Sequence, residues 1–312
     1  MSDNVAHALA GAGGGIVSML LTYPLITVSS RLQVERKKET SARGQQSSAA
    51  AIRDIVEAEG VRGLFSGVES AVFGNAVTNG VYYFFFESIK TYLQHRSARK
   101  SMSTAESMLA GAIAGAAVVL TTNPIWVVNM RQTTKKESLD DDADPAAATA
   151  ARTKDLGFLR MVLKIVREDG IQALWQGTGP ALILVANPII QYTVFERLRA
   201  RLQRGGRSLG NLDFFLLGAL SKLVATSVTY PYIVVKSRMQ LRQSRDENQR
   251  YHSIFDGLRK IVRQEGIEGL YKGIEFKLVQ SVLTSAFLFM AKEQFYRYAV
   301  VLLALLGRGA RQ

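Results

Sequence analysis

The chain has 312 residues, a formal net charge of +13, 47% apolar residues and no cysteine. The lack of cysteine excludes disulfides, thiolate chemistry and a cysteine-ligated metal. His7, His95 and His252 lie scattered in terminal or loop contexts, which argues against a histidine metal or acid–base centre. The basic balance points to no nucleic acid, because the cations sit at the ends of apolar runs, as in membrane-surface anchoring, and do not interleave with aromatics.

The apolar residues are bunched. Uncharged runs cover Ala8–Ser30, Ser70–Phe86, Met108–Met130, Ile171–Phe195 and Leu278–Ala291, and a sixth, Phe214–Val235, is broken only by Lys222. A spanning helix needs roughly 20 mainly apolar residues. Three runs reach that length and the other three fall short or are interrupted, so hydropathy alone miscounts the spans. Glycine-dense stretches such as Gly11–Gly15 make poor soluble helices but good close-packing faces in lipid.

The count is corrected by an internal repeat, which is to be sought first. The runs read Gly11–Gly15–Thr22–Tyr23–Pro24–Arg31, Gly111–Gly115–Thr122–Asn123–Pro124–Arg131 and Gly218–Lys222–Thr229–Tyr230–Pro231–Arg238. A second anchor follows each: Glu59-Gly60 with Phe65-Ser66-Gly67, Asp169-Gly170 with Trp175-Gln176-Gly177, and Glu265-Gly266 with Tyr271-Lys272-Gly273. A third is Phe86-Glu87, Phe195-Glu196 and Lys292-Glu293. The expectation is one transmembrane domain over 1–312 in three repeats, 1–100, 101–208 and 209–312. Each holds a long helix with an internal proline, a polar loop, a short amphipathic helix and a second long helix. The short helices are expected at Ala50–Glu59, Phe158–Glu168 and Ser253–Glu265, lying along the interface rather than across it. The fold class is therefore all-α membrane: six transmembrane helices in three pseudo-threefold repeats, with short surface helices between the paired spans. Both sets of loops are basic, so charge gives no orientation. The N-terminus shows no cleavable signal or transit peptide.

Pro24, Pro124 and Pro231 bend their helices at one depth, which encloses a cavity with a constriction just past the prolines. Arg31, Arg131 and Arg238 lie two turns further on, at that constriction, and a cation at membrane depth is a functional hypothesis by default.

The triple proline–arginine, acid–glycine and aromatic–acid pattern resembles the mitochondrial carrier family over essentially the whole chain. The resemblance implies a six-helix bundle with a single central solute site reached alternately from either side. The chain departs from the family pattern. The acid two residues past each proline is replaced by Ile26, Trp126 and Ile233, and the next basic position survives only as Lys236, with Ser29 and Asn129 in the other copies. The inner ring of ion pairs therefore cannot form as usual, and the resting carrier is expected to favour opening at that end, where Lys236 and Gln240 are gate residues. At the other end the gate is assigned to Glu87 with Lys90, Glu196 with Arg199, and Glu293.

Carrying the family's solute-contact positions onto the even helices gives Gly74 and Asn75, Ile183 and Leu184, and Gln280 and Ser281. The apolar pair suits adenine; Asn75, Gln280 and Ser281 suit a ribose or amide. Ordinary helix packing is the alternative for each. Lys222 stands where the other repeats have Gly15 and Gly115, at a cost in insertion energy. It reads as a cation for a phosphate or carboxylate, with Lys277 assisting; snorkelling or pairing with an acid is its structural alternative. Arg31, Arg131 and Arg238 join this set.

Trp126 resembles the subgroup that moves NAD, FAD, folate and pyrimidine nucleotides, together with the peroxisomal nucleotide carriers. Gly11-Ala12-Gly13-Gly14-Gly15, Gly80-Val81-Tyr82-Tyr83-Phe84, Asn187-Pro188-Ile189-Ile190-Gln191 and Leu288-Phe289-Met290-Ala291-Lys292-Glu293 are similar to the family's peroxisomal branch. That similarity implies counter-exchange of NAD, coenzyme A and ATP, ADP or AMP as solutes, with no resident cofactor or metal, in the peroxisomal membrane. Membrane lipids, and peroxisomal membrane-protein import factors, are the expected partners of a monomer. The alternative is a mitochondrial inner-membrane carrier of folate, FAD, NAD or pyrimidine nucleotides. A proton leak fits poorly, as no acid lies deep in a helix. An enzyme would need a nucleophile–base pair or metal cluster, and the sequence offers neither.

Overall fold

The computed structural model describes residues 2–35, 48–96, 102–134, 157–204, 210–241, 250–285 and 287. Its long helices are α1 (Ser2–Val34), α3 (Val68–Arg96), α4 (Thr104–Thr134), the pair α6 (Thr178–Leu184) and α7 (Asn187–Arg204), and α8 (Asn211–Met239). Residues 274–285 form α10, the described part of the last even helix. Short helices α2 (Ser48–Glu59), α5 (Phe158–Asp169) and α9 (Ile254–Glu265) connect them. No strand occurs among the described residues. Among the described residues four segments are long and apolar enough to cross a membrane: Gly14–Val34, Thr104–Thr134, Ile171–Arg204 and Leu212–Met239. At about 1.5 Å per residue, a 31-residue helix reaches about 46 Å, more than a bilayer core of about 30 Å.

Helices α1, α4 and α8 run through Pro24, Pro124 and Pro231 without ending. The residue before each proline ties its helix to the turn that follows the short helix. The Tyr23 hydroxyl donates to the Ser66 carbonyl at 3.1 Å, Asn123 Nδ2 to the Leu174 and Gln176 carbonyls at 3.1 and 3.0 Å, and the Tyr230 hydroxyl to the Lys272 carbonyl at 2.9 Å. The tyrosines also stack on the turn's aromatics, Tyr23 on Phe65 and Tyr230 on Tyr271.

Each short helix buries its apolar stripe, for example Met161 and Ile165 of α5 against Val127 and Val128 of α4. Each ends at a glycine of positive φ and enters a 3₁₀ turn, Val61–Phe65, Ile171–Trp175 or Ile267–Tyr271. A second positive-φ glycine, Gly67, Gly177 or Gly273, then aims the chain back across the membrane. These second glycines face a neighbouring repeat. A β-carbon on Gly273 would lie 2.9 Å from the Ser29 carbonyl oxygen, and one on Gly67 would lie 2.7 Å from Thr133 Oγ1.

The apolar run Ile171–Phe195, read from sequence as feeding one continuous fourth span, is divided. Its first five residues form the 3₁₀ turn, and the span itself breaks at Val185 and Ala186. Pro188 has no N–H to give the Leu184 carbonyl. The chain tightens there instead, with Val185 N donating to the Leu182 carbonyl and Ala186 N to the Ile183 carbonyl at 3.2 and 3.0 Å. Gly115 makes room for the break: a β-carbon on it would lie 2.8 Å from Val185 Cγ1.

Gly273→Ala puts a side chain into the left-handed region, at about 1–2 kcal/mol, and forces a backbone contact with Ser29. The variant's Tm in detergent is expected to fall by several degrees, whereas Gly210→Ala, at ordinary φ in an open site, leaves it close to wild type.

Candidate solute site and gates

The three arginines do not line an open cavity. Each is held under its own repeat's short helix and reaches across to the next repeat. Arg31 pairs with Glu59 at 2.7 Å, Arg131 with Asp169 at 2.5 Å, and Arg238 forms a two-pronged pair with Glu265. Arg31 Nε donates to the Thr133 carbonyl at 3.0 Å, Arg131 Nε to the Gln240 carbonyl at 3.3 Å and Arg238 Nε to the Gln33 carbonyl at 2.9 Å. The acceptor is always the ninth residue past the neighbouring proline, so the bonds form a closed ring of three. Arg131 and Arg238 are buried. Their assignment as solute contacts is therefore corrected for this conformation: the acids that satisfy them come from the acid–glycine anchors.

The ring closes the inner end, which sequence reasoning expected to be the weaker gate. Neutral bonds replace the missing ion pairs. Ser29 Oγ donates to the Gly273 carbonyl at 3.0 Å and Asn129 Nδ2 to the Gly67 carbonyl at 2.9 Å, while Lys236 packs against Gly177 in the third seam. Ser237 Oγ donates to Gln33 Oε1 at 2.7 Å. Gln240, assigned to the gate, accepts from Arg131 through its carbonyl and packs its side chain on Gly177. Trp126, in place of an acid, donates from Nε1 to Thr78 Oγ1 at 3.2 Å and lies over Gly74.

At the opposite end the expected gate pairs stay within their own helices. Lys90 bonds Glu87 at 2.9 Å and Arg199 reaches Glu196 at 3.5 Å, each three residues along. Arg199 also lies 5.7 Å from the centre of the Phe214 ring on α8. Glu293 lies outside the described residues.

Between the two ends the structure gathers cations from repeat three. Lys277 lies within charge range of both Lys222 and Lys236, and among the described residues no carboxylate pairs with any of the three. Lys222 Nζ lies 3.5 Å from Asn187 Oδ1, at the break in the fourth span where Ile183 and Leu184 also sit. Asn187 was quoted in sequence only within its motif; its polarity inside an apolar run was the available signal. Two further expected contacts are engaged in helix packing. Asn75 Nδ2 lies 2.7 Å from Met19 Sδ, and Gln280 Nε2 donates to Thr284 Oγ1 at 2.8 Å. The Ser281 carbonyl accepts from Ser285 Oγ at 3.0 Å.

Glu265 shows how the ring depends on charge. Burial opposes its ionisation, but hydrogen bonds and charge from Arg238 and Lys272 outweigh that and hold the carboxyl below its ordinary 4.5. A carboxyl lowered in the folded state stabilises above the unfolded value and loses that stabilisation as pH falls through the lowered one. Glu265→Gln is expected to lose several kcal/mol at neutral pH, since it strands a buried arginine. Tm measured against pH should show the gap to wild type narrowing on acidification below about 4.

Comparison with known proteins agrees with this geometry. The family model described as mitochondrial carrier protein matches residues 2–97, 100–206 and 208–301. The peroxisomal nicotinamide adenine dinucleotide carrier of Arabidopsis thaliana is 38% identical, covering 97% of this chain and 98% of the relative. The peroxisomal membrane protein PMP47B of Candida boidinii is 33% identical over 94% of this chain and 86% of its own. The peroxisomal membrane protein PMP34 of Mus musculus is 34% identical over 94% and 92%. With three copies of the family pattern along almost its whole length, and relatives matched nearly end to end, this chain belongs to the mitochondrial carrier family, whose members are transporters and not enzymes.

Proposed function

We propose that the chain exchanges adenine-containing nucleotides and cofactors, NAD, coenzyme A and ATP, ADP or AMP, across the peroxisomal membrane by alternating access, working as a monomer. The observation that carries this is the group of three ammonium side chains, Lys222, Lys236 and Lys277, with no carboxylate partner among the described residues. Cations held this way at membrane depth are costly, and an anionic solute offsets that cost. The name of the Arabidopsis relative supports an adenine cofactor, and the names of all three support the peroxisome.

The phosphates lie on repeat three, against Lys222 and Lys277. The adenine packs beside Ile183 and Leu184, at the break in the fourth span, with Trp126 and Gly74 closing the floor. The inner end is shut by the arginine ring, while among the described residues Glu87 and Glu196 bond within their own helices, so this conformation receives solute from the outer end. The inner end opens when the ring's bonds to Thr133, Gln240 and Gln33 part.

The test is uptake of labelled NAD, AMP, ATP and coenzyme A into liposomes holding the purified protein, with and without the same compounds inside. The expected result is uptake only against internal counter-substrate. Uptake without internal solute, or preference for folate or UTP as competitor, would overturn the reading. Lys222→Ala should reduce exchange by at least about tenfold, since a charge-assisted hydrogen bond contributes about 1.5–3 kcal/mol, with its Tm near wild type. Leu184→Asp should raise the apparent KM for adenine solutes; an unchanged KM would move the base elsewhere.

A further inference from the structure

Among the described residues the one hydrogen-bond partner of Lys222 is neutral, and the geometry of that partner is determined by hydroxyl chemistry. Thr229 Oγ1 lies 2.8 Å from the Ala225 carbonyl, one turn back in α8, and 3.3 Å from the Thr226 carbonyl. A hydroxyl has one proton to give, so it is committed to α8's own backbone, and the oxygen is left to accept. Asn187 Nδ2 supplies that bond at 2.7 Å. With its amide nitrogen committed to Thr229, Asn187 turns Oδ1 toward the Lys222 ammonium, at 3.5 Å. That separation is long for a hydrogen bond. Among the described residues the charge within range of Lys222 is that of Lys277, itself cationic.

We propose that Asn187 is a placeholder for the solute's anionic oxygen. In the empty carrier its carbonyl dipole parks the Lys222 ammonium across the α7–α8 seam. A phosphate or carboxylate oxygen then takes that ammonium by displacing a weak neutral contact instead of breaking an ion pair. A carboxylate at position 187 would hold the lysine as a salt bridge and compete with every anionic solute. The neutral side chain is thus a requirement of the site, and Thr229 is the positioning residue that keeps the acceptor facing the cation. This inference rests on Lys222 being the solute cation, and it adds what the empty site must contain for an anion to bind reversibly.

The experiment measures exchange kinetics in liposomes together with the Tm shift that added ATP or NAD gives the purified carrier. Asn187→Asp is expected to raise the apparent KM at least about tenfold, equivalent to one charge-assisted bond, and to abolish the ligand-induced Tm shift. Asn187→Ala is expected to lower the apparent KM, since the ammonium is no longer parked. Thr229→Val, which frees the amide to turn, should move KM in the same direction as Asn187→Ala, and Thr229→Ser should restore it. Because Asn187→Asp acts through the lysine, the double variant Lys222→Ala with Asn187→Asp should be no worse than Lys222→Ala alone, a coupling that additive structural damage does not produce. Asn187→Asp behaving like Asn187→Ala, or losses that add in the double variant, would overturn the placeholder while leaving Lys222 in the site. Wild-type exchange in Lys222→Ala would instead remove the solute cation, and the placeholder with it.

Discussion

The arrangement of the bundle depends on one repeated interaction, the guanidinium that joins an acid of its own short helix to a carbonyl of the next repeat. A planar group with five donors can satisfy a carboxylate with one edge and a backbone oxygen with another. Lysine could not hold both with defined geometry. Such pairs give little net stability compared with an apolar isostere, yet leaving one partner alone in the interior is expensive. The arginine ring therefore acts as a specificity device: it fixes which helices meet, at what depth and in what order around the axis. The positive-φ glycines belong to the same device. The first ends the short helix directly after the acid, and the second lets a neighbouring odd helix approach the backbone closely, as Gly273 does against Ser29.

This ring also explains how the chain manages without acids two residues past its prolines. Closure at the inner end needs bonds that are numerous but individually weak, because the end has to reopen. Ser29, Asn129 and Gln33 provide neutral bonds to backbone and side chains of the adjoining repeats. A neutral bond contributes about 0.5–1.5 kcal/mol. Replacing ion pairs by such bonds makes closure less sensitive to the charge of the passing solute. Among the described residues it also leaves the Lys236 ammonium without a carboxylate partner, within charge range of Lys277.

The repeat was legible because the proline, arginine and glycine spacings are dictated by backbone geometry, which tolerates few substitutes. The short helices were legible for the same reason, through apolar spacing that ends at an acid and a glycine. The partner of each arginine was present in the sequence as the acid of the second anchor, but nothing in spacing alone joins residues 27 to 38 positions apart, such as Arg238 with Glu265 and Arg131 with Asp169. The state of the gates was not legible, because Glu87 with Lys90 and Glu196 with Arg199 satisfy one another equally well along one helix as across two. Asn75 and Gln280 stand at solute-contact positions, but in this conformation Asn75 bonds Met19 across a seam and Gln280 bonds Thr284 one turn along its own helix, since a polar side chain in lipid must also find a partner.

The threefold scaffold carries one-sided chemistry, and the fourth span is where the two meet. The same register on the odd helices touches its break from two sides. From repeat two, Gly115 admits Val185 by having no side chain; from repeat three, Lys222 extends a long cationic one to Asn187. A small residue at that register serves packing and a lysine brings a cation, so the substitution that breaks the repeat's symmetry falls beside an even helix whose backbone is already interrupted. An interrupted helix has a carbonyl to offer and a joint at which its halves can tilt. Under the proposed exchange, a solute charge bound at that joint is placed to bias the tilt, and so to couple occupation of the site to the movement that opens one end and closes the other.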